Sequence, residues 1–192
     1  MTIDFVEWDK LLEDPSVNKK DLYDQLIKEQ ESSSNNENLW RLSKAAIILC
    51  NSAAKDKDKE NDKKWSLVAL QHGKKAIEFD KDNVESHKWY CAAIGRTSRF
   101  LGVKEKLQLG HEFKKHSDIA IEIQPDNELL HHMYGRWCFE VAGLTWMEKK
   151  IAATFFGTPP ESTYNEALSS LIKAYELKPN WKENLLWVAK VK

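Results

Sequence analysis

Ala120-Ile121-Glu122-Ile123-Gln124-Pro125-Asp126-Asn127 decides the reading of this chain, because two other segments repeat it. They are Ala76-Ile77-Glu78-Phe79-Asp80-Lys81-Asp82-Asn83 and Ala174-Tyr175-Glu176-Leu177-Lys178-Pro179-Asn180-Trp181. Ala69, Phe113 and Ala167 stand seven residues before the leading alanines, and Lys81, Pro125 and Pro179 five residues after them. Small residues there let two helices approach closely, and the Pro position ends a first helix and opens a turn. Ten residues further on come Cys91, Gly135 and Ala189, all small, preceded by Tyr90, Tyr134 and Val188. A second helix therefore follows each turn. This is the helix–turn–helix grammar of a tetratricopeptide (TPR) repeat, whose unit is about 34 residues.

The spacings exceed that unit, at 44 residues from Ala76 to Ala120 and 54 from Ala120 to Ala174. The larger excess covers 143–162. Leu144, Met147, Ile151 and Phe155 recur there at helical spacing, predicting an inserted helix ended by Gly157 and Pro159-Pro160. Upstream, Asp21–Glu31 predicts a helix with Leu22, Leu26 and Ile27 inward, Ser32–Asn36 a turn, and Asn38–Ala54 a second helix with Leu39, Leu42, Ala46 and Leu49 on one stripe. The run Lys55–Lys64 reads as a solvated connector. The expectation is an all-α, TPR-like array of antiparallel helix pairs. Residues 1–20 form an extension, 21–192 a single domain, and a capping helix is expected beyond the last pair.

Composition agrees. The chain has 192 residues, seven Gly, five Pro, and 20 Leu against 25 Val, Ile and Thr combined, which favours helix over sheet. Its 29 basic and 30 acidic side chains leave a net charge of −1, arguing against a general nucleic-acid binder. The longest stretches without a charged residue, Ala45–Ala54 and Ile151–Pro160, are ten residues, too short to span a bilayer at ~17–25 residues. The N-terminus is acidic where a signal or transit peptide is basic, and Thr2 excludes myristoylation. Cys50, Cys91 and Cys138 are odd in number and far apart, as reduced thiols in a cytosolic protein would be.

Catalytic and metal motifs fail on spacing. His111 and His116 are five apart, about 140° around a helix, whereas a zinc-protease pair needs i and i+4. His131-His132 with Cys138 lacks a second correctly spaced ligand pair. Ser170-Leu171-Ile172-Lys173 lacks the companion motifs of its enzyme class, and there is no phosphate loop. No enzyme activity, cofactor or metal is expected.

Charge is uneven along the chain. Residues 1–36 carry nine acids and four bases, whereas 88–115 carry seven bases and two acids. Arg96, Arg99, Lys104, Lys106, Lys114 and Lys115 are thus candidates for contact with an acidic surface, with Lys149 and Lys150 second. The eight tryptophans are expected mainly in the core. The competing reading is a concave groove for a peptide or lipid chain, lined by Tyr90, Tyr134, Trp137 and Trp146.

Gly135-Arg136-Trp137-Cys138-Phe139, Leu144-Thr145-Trp146-Met147-Glu148-Lys149-Lys150, Thr158-Pro159-Pro160 and Glu166-Ala167-Leu168 resemble the regulator of microtubule dynamics family. So do Trp89-Tyr90, Phe113-Lys114-Lys115-His116, Ala120-Ile121 and Pro125-Asp126-Asn127, so the likeness runs from about Trp65 to Lys190. The resemblance implies a TPR-like, non-enzymatic protein whose partners are microtubules and the spindle, placing it in the cytoplasm at the cytoskeleton. Some animal relatives carry a membrane anchor and link a TPR-type domain to lipid binding and transfer. The resemblance names no microtubule-contacting residue.

Overall fold

In a computed structural model the protein is described over residues 4–32, 36–157 and 160–192. The expected Ser32–Asn36 turn and the stop at Pro159 fall largely outside the described residues. Ten α-helices follow in order among them: α1 (Phe5–Glu13), α2 (Lys19–Ser32), α3 (Asn36–Lys55), α4 (Lys59–Phe79), α5 (Val84–Thr97), α6 (Val103–Ile123), α7 (Glu128–Ala142), α8 (Trp146–Phe156), α9 (Tyr164–Leu177) and α10 (Lys182–Val191). A short 3-10 turn, Ser98–Phe100, follows α5. The pairs α2/α3, α4/α5, α6/α7 and α9/α10 are the TPR-like pairs, and α8 is the inserted helix of the third. The chain divides into two compact units, Met1–Phe100 and Leu101–Lys192.

The alanines of the repeated octapeptide behave alike in all three copies. Ala76, Ala120 and Ala174 are each fully buried, as are Ala69 and Ala167, with Phe113 nearly so. The preceding helices end at Phe79, Ile123 and Leu177, two residues before the Lys/Pro position. The Asn that closes the octapeptide caps the next helix. Asn83 accepts from the Ser86 amide, and Asn127 from those of Leu129 and Leu130. Each bond satisfies a backbone donor that a helix start leaves open. Trp181 holds the corresponding place before α10 and makes no such bond.

In the first unit α3 is the central helix, packed by α1, α2, α4 and α5. Buried positions run continuously from Asn38 through Ser43, and on through Ala45, Ala46, Ile47 and Cys50. The single apolar stripe expected of Asn38–Ala54 is thus a helix enclosed on several sides, because neighbours cover it from more than one direction. Gly73 lets α4 meet its neighbours. A Cβ there would lie 3.0 Å from Tyr90 Cα and 3.2 Å from Ser43 Oγ. Hydroxyls tie the helices across this seam: Ser43 donates to the Ala69 carbonyl and Thr97 to that of Ser66, both at 2.9 Å.

The second unit repeats this device. Gly135 of α7 faces α9 so closely that a Cβ would stand 2.7 Å from Leu171 Cγ and 2.9 Å from the Ala167 carbonyl oxygen. Asn184 of α10 donates to the Leu171 carbonyl at 2.8 Å, and its side-chain oxygen lies 2.9 Å from His132 Nδ1.

Two local expectations are corrected. Lys55–Lys64 is not a connector. Helix α4 starts at Lys59, and Asp58 caps it by accepting from the Asn61 amide. Lys and Glu are good helix formers, so an N-cap suffices to start a helix inside a charged run. In α8 the inward residue is Ala152, while Met147 and Phe155 are exposed. The face lies one residue away from the predicted stripe, because α8 packs on α6 through its small side. Gly157 closes α8 at φ +81°, as expected, and its start is held by a reciprocal capping box of Thr145 and Glu148 that the sequence reading had not named.

Candidate functional site

Arg96 and Arg99 belong to the first unit. Arg96 is half-buried, and Arg99 is committed: its Nη2 lies 2.7 Å from Asp62 Oδ1. Asp62 is 6 % exposed and also accepts from the Cys50 thiol at 2.9 Å. Burial and the neighbouring carboxylate push that thiol up to about 12, so it stays protonated. The charge of Arg99 is thus largely spent on a buried acid.

The remaining cations lie on α6 and α8 in the second unit. Lys114 is ion-paired one turn along to Asp118 at 2.6 Å and lies over the Tyr134 ring. Lys104, Lys106, Lys115, Lys149 and Lys150 are exposed. Lys104 and Lys115 are about 20° apart around α6, whereas Lys106 is roughly 200° from Lys104 at 3.6 residues per turn. Lys104 Nζ sits 4.1 Å from the centre of the Phe155 ring, and Lys150 Nζ 5.0 Å from that of Trp146. Such cation–ring contacts hold a lysine stem near an aromatic face while leaving its charge in water. Glu148 is held below the usual carboxylate range, first by the Thr145 amide and hydroxyl and further by Lys106. Lys104 and Lys106 thus stand on nearly opposite sides of α6, and Lys149 and Lys150 lie on α8, which packs on α6.

The four groove candidates fare differently. Tyr90, in the first unit, is 2 % exposed and packs against Gly73. Tyr134 and Trp137 stack with ring centres 5.8 Å apart, and Trp137 stacks on Phe113 at 6.1 Å. Trp137 Nε1 donates to the Gly110 carbonyl at 3.0 Å, so its polar edge is satisfied within the fold. Desolvation, aided by nearby Cys138, raises the Tyr134 phenol well above its ordinary range. Trp146 is 70 % exposed and touches no other ring among the described residues. Tyr134 and Trp137 are brought together, but as a packed stack.

Among the described residues no three His, Cys, Asp or Glu side chains converge as a metal site requires. His131 Nε2 lies 2.7 Å from the Pro125 carbonyl, and His132 is turned to Asn184. Lys173, of the Ser170–Lys173 motif, is paired with Asp126. All three cysteines are free and buried.

Sequence reading passed over Asp62 and Arg41. Asp62 looked like one charge in a solvated run. Its signal was its place four residues into a capped helix, on the side of Trp65 and Ala69. Arg41 drew no reading from the sequence and is almost fully buried.

The family model described as regulator of microtubule dynamics protein 1-3 matches residues 4–192. Regulator of microtubule dynamics protein 2 of Rattus norvegicus is 39 % identical over 153 residues, covering 79 % of this chain and 36 % of the relative. Protein 1 of Bos taurus is 35 % identical over 168 residues, covering 86 % and 52 %. The chain therefore spans about a third to a half of the length of these relatives. A solved thermophilic TPR protein of Thermus thermophilus superposes with a TM-score of 0.50 at 14 % identity, over 90 % of both chains, which concerns the fold alone. No described helix is long and apolar enough to cross a membrane. The match over nearly the whole chain, with the TPR-like pairs and the capped inserted helix, places the chain in the regulator of microtubule dynamics protein 1-3 family.

Proposed function

We propose that this chain is a non-enzymatic adaptor of the cytoplasmic cytoskeleton that binds microtubules and acts in microtubule and spindle organisation. Its contacts are made by the exposed lysines of α6 and α8, the Lys104/Lys115 side of α6 foremost. The supporting observation is that Lys104, Lys106, Lys115, Lys149 and Lys150 are exposed and form no ion pair among the described residues, while Arg99 and Lys114 are internally neutralised. Microtubule surfaces are acidic. Unpaired exposed lysines attract such a surface collectively, each adding little, and the attraction weakens as salt shortens the Debye length.

Co-sedimentation with microtubules at low and raised salt tests this reading. The wild-type chain pellets at low salt and is released as salt rises. Reversing Lys104, Lys106, Lys149 and Lys150 to Glu abolishes pelleting without changing the helical circular dichroism. Unchanged pelleting by that variant removes the α6/α8 assignment.

The groove reading has weaker support. Of its four rings, one is buried in the first unit and two are stacked on each other in the second. Only Trp146 offers an open apolar surface.

A further inference from the structure

Helix α1 is attached to α3 through a row of charged side chains. Phe5, Asp9 and Glu13 follow at i, i+4 and i+8 and so line one side of α1. Opposite them on α3 stand Arg41 and Lys44, three residues apart. Arg41 Nε and Nη2 donate to the two Asp9 carboxylate oxygens at 3.0 and 2.6 Å. Its Nη1 donates to the Glu37 carboxylate at 2.7 Å. The guanidinium lies over two rings, 4.6 Å from the centre of Phe5 and 4.0 Å from that of Trp40. Lys44 pairs with Glu13 at 2.6 Å. The Arg41 side chain is only 5 % exposed. Beside this ladder Leu12 enters the core cluster, with Trp8 and Leu11 packed on its edge.

A buried arginine held by a bidentate carboxylate and two ring faces is a specific receptor for an acid beside an aromatic residue. The basic rung at Lys44 and the apolar seat for Trp8 and Leu12 complete a groove for an amphipathic helix. We infer that the Arg41–Lys44 face of α3 is a docking site for acidic amphipathic helices of partner proteins, and that α1 is its built-in competitor. α1 displays what such a partner needs: an aromatic residue, then Asp, then Glu at four-residue steps, with apolar residues at i+3 and i+7. While α1 is seated the site is closed. A partner gains access by displacing it. This site lies in the first unit, so it stands or falls independently of the exposed lysines of α6 and α8.

The test uses the full chain. Asp9→Lys with Glu13→Lys sets like charge against Arg41 and Lys44 and lifts α1. Asp9→Asn with Glu13→Gln removes the attraction more gently and carries the test if the first variant loses its helical circular dichroism. The probe is a labelled designed helical peptide of Ala and Gln that carries Phe, Asp and Glu at i, i+4 and i+8 and Trp and Leu at i+3 and i+7. Fluorescence anisotropy reads its binding, and hydrogen exchange reads the amides of 5–13.

In the variants these amides lose protection, and the peptide binds saturably and salt-sensitively. Binding to the wild-type chain is weaker by about tenfold or more, as is binding to the released variant with Arg41→Gln added, the scale expected for losing a buried charge pair. The proposal is overturned by retained protection of 5–13 in the variants. It is equally overturned by peptide binding that is no tighter to the released chain than to wild type, or that survives Arg41→Gln.

Discussion

The Tyr23 phenol on α2 lies 2.9 Å from Nε2 of His72 on α4, joining residues 49 positions apart. The Tyr23 ring also meets Trp65 edge-on, with centres 5.1 Å apart. Burial, with Lys75 nearby, lowers the His72 imidazole from 6.5 to about 4. Burial likewise raises the Tyr23 phenol to about 12, so both groups are neutral at pH 7.

That shift makes the first unit acid-sensitive. Between about pH 4 and 6.5 the unfolded chain binds a proton at His72 that the folded chain refuses. Stability from this group is complete above pH 6.5 and falls as the pH drops through that window. The total is of the order of 3 kcal/mol or less, at about 1.36 kcal/mol per unit. His72→Gln keeps a polar neighbour for Tyr23 and does not titrate. Urea unfolding at about pH 7.5 and about pH 4.5 is expected to show a smaller acid loss in the variant than in wild type. Parallel losses would assign the acid sensitivity to other groups.

Gly135→Ala puts a methyl 2.7 Å from Leu171 Cγ and 2.9 Å from the Ala167 carbonyl oxygen. Leu171 is fully buried and a helix carbonyl cannot swing away, so α7 and α9 must separate. Overpacking of this kind costs about 1–3 kcal/mol. Gly95→Ala is the control: a Cβ there meets nothing within 4 Å, and replacing a mid-helix Gly gains about 0.5–1 kcal/mol. Thermal unfolding should move the two variants in opposite directions.

Arg99 and Lys149 should separate a structural cation from a surface one. Arg99→Glu faces buried Asp62 with like charge and should destabilise the first unit by roughly 1–2 kcal/mol, allowing for the partial exposure of Arg99. Lys149→Glu should stay within about 0.5 kcal/mol of wild type, as an exposed substitution does, while weakening microtubule pelleting. Chemical denaturation and co-sedimentation on the same samples read both effects.

Thr145→Ala removes half of the α8 capping box, in which the Thr145 hydroxyl accepts from the Glu148 amide and the Glu148 carboxylate accepts from the Thr145 amide. The cost is about 1 kcal/mol. Since α8 is an insertion packed mainly on α6, the expected effect is local. Amides of 146–150 should lose protection in hydrogen exchange while those of α9 keep theirs. Loss spread evenly over both helices would show that α8 and α9 open as one unit.

The helical grammar was legible in the residues themselves. The octapeptides foretold small residues where helices approach closely and a helix end near the Lys/Pro position; the Asn caps that follow were not named from the sequence. The Gly157 stop was readable because a glycine at a helix end is a local signal. The Lys55–Lys64 run misled because charge density marks exposure on average, and a single N-cap at Asp58 outweighed it. The inserted helix was found, but its inward face was not: Met147 and Phe155 are the larger residues, yet α6 receives Ala152.

The sequence alone determined the order of the helix pairs and the inserted helix, since hydrogen bonds four residues apart and a period of about 3.6 residues are written locally. Tertiary structure alone decided which charges are available. Arg99 meets Asp62 across 37 residues and Arg41 meets Asp9 across 32, whereas Lys149 and Lys150 meet no carboxylate among the described residues. An ion pair between helices exists only where the fold brings a cation and a carboxylate within about 3 Å, a distance that no local pattern encodes, unlike the one-turn pair of Lys114 with Asp118.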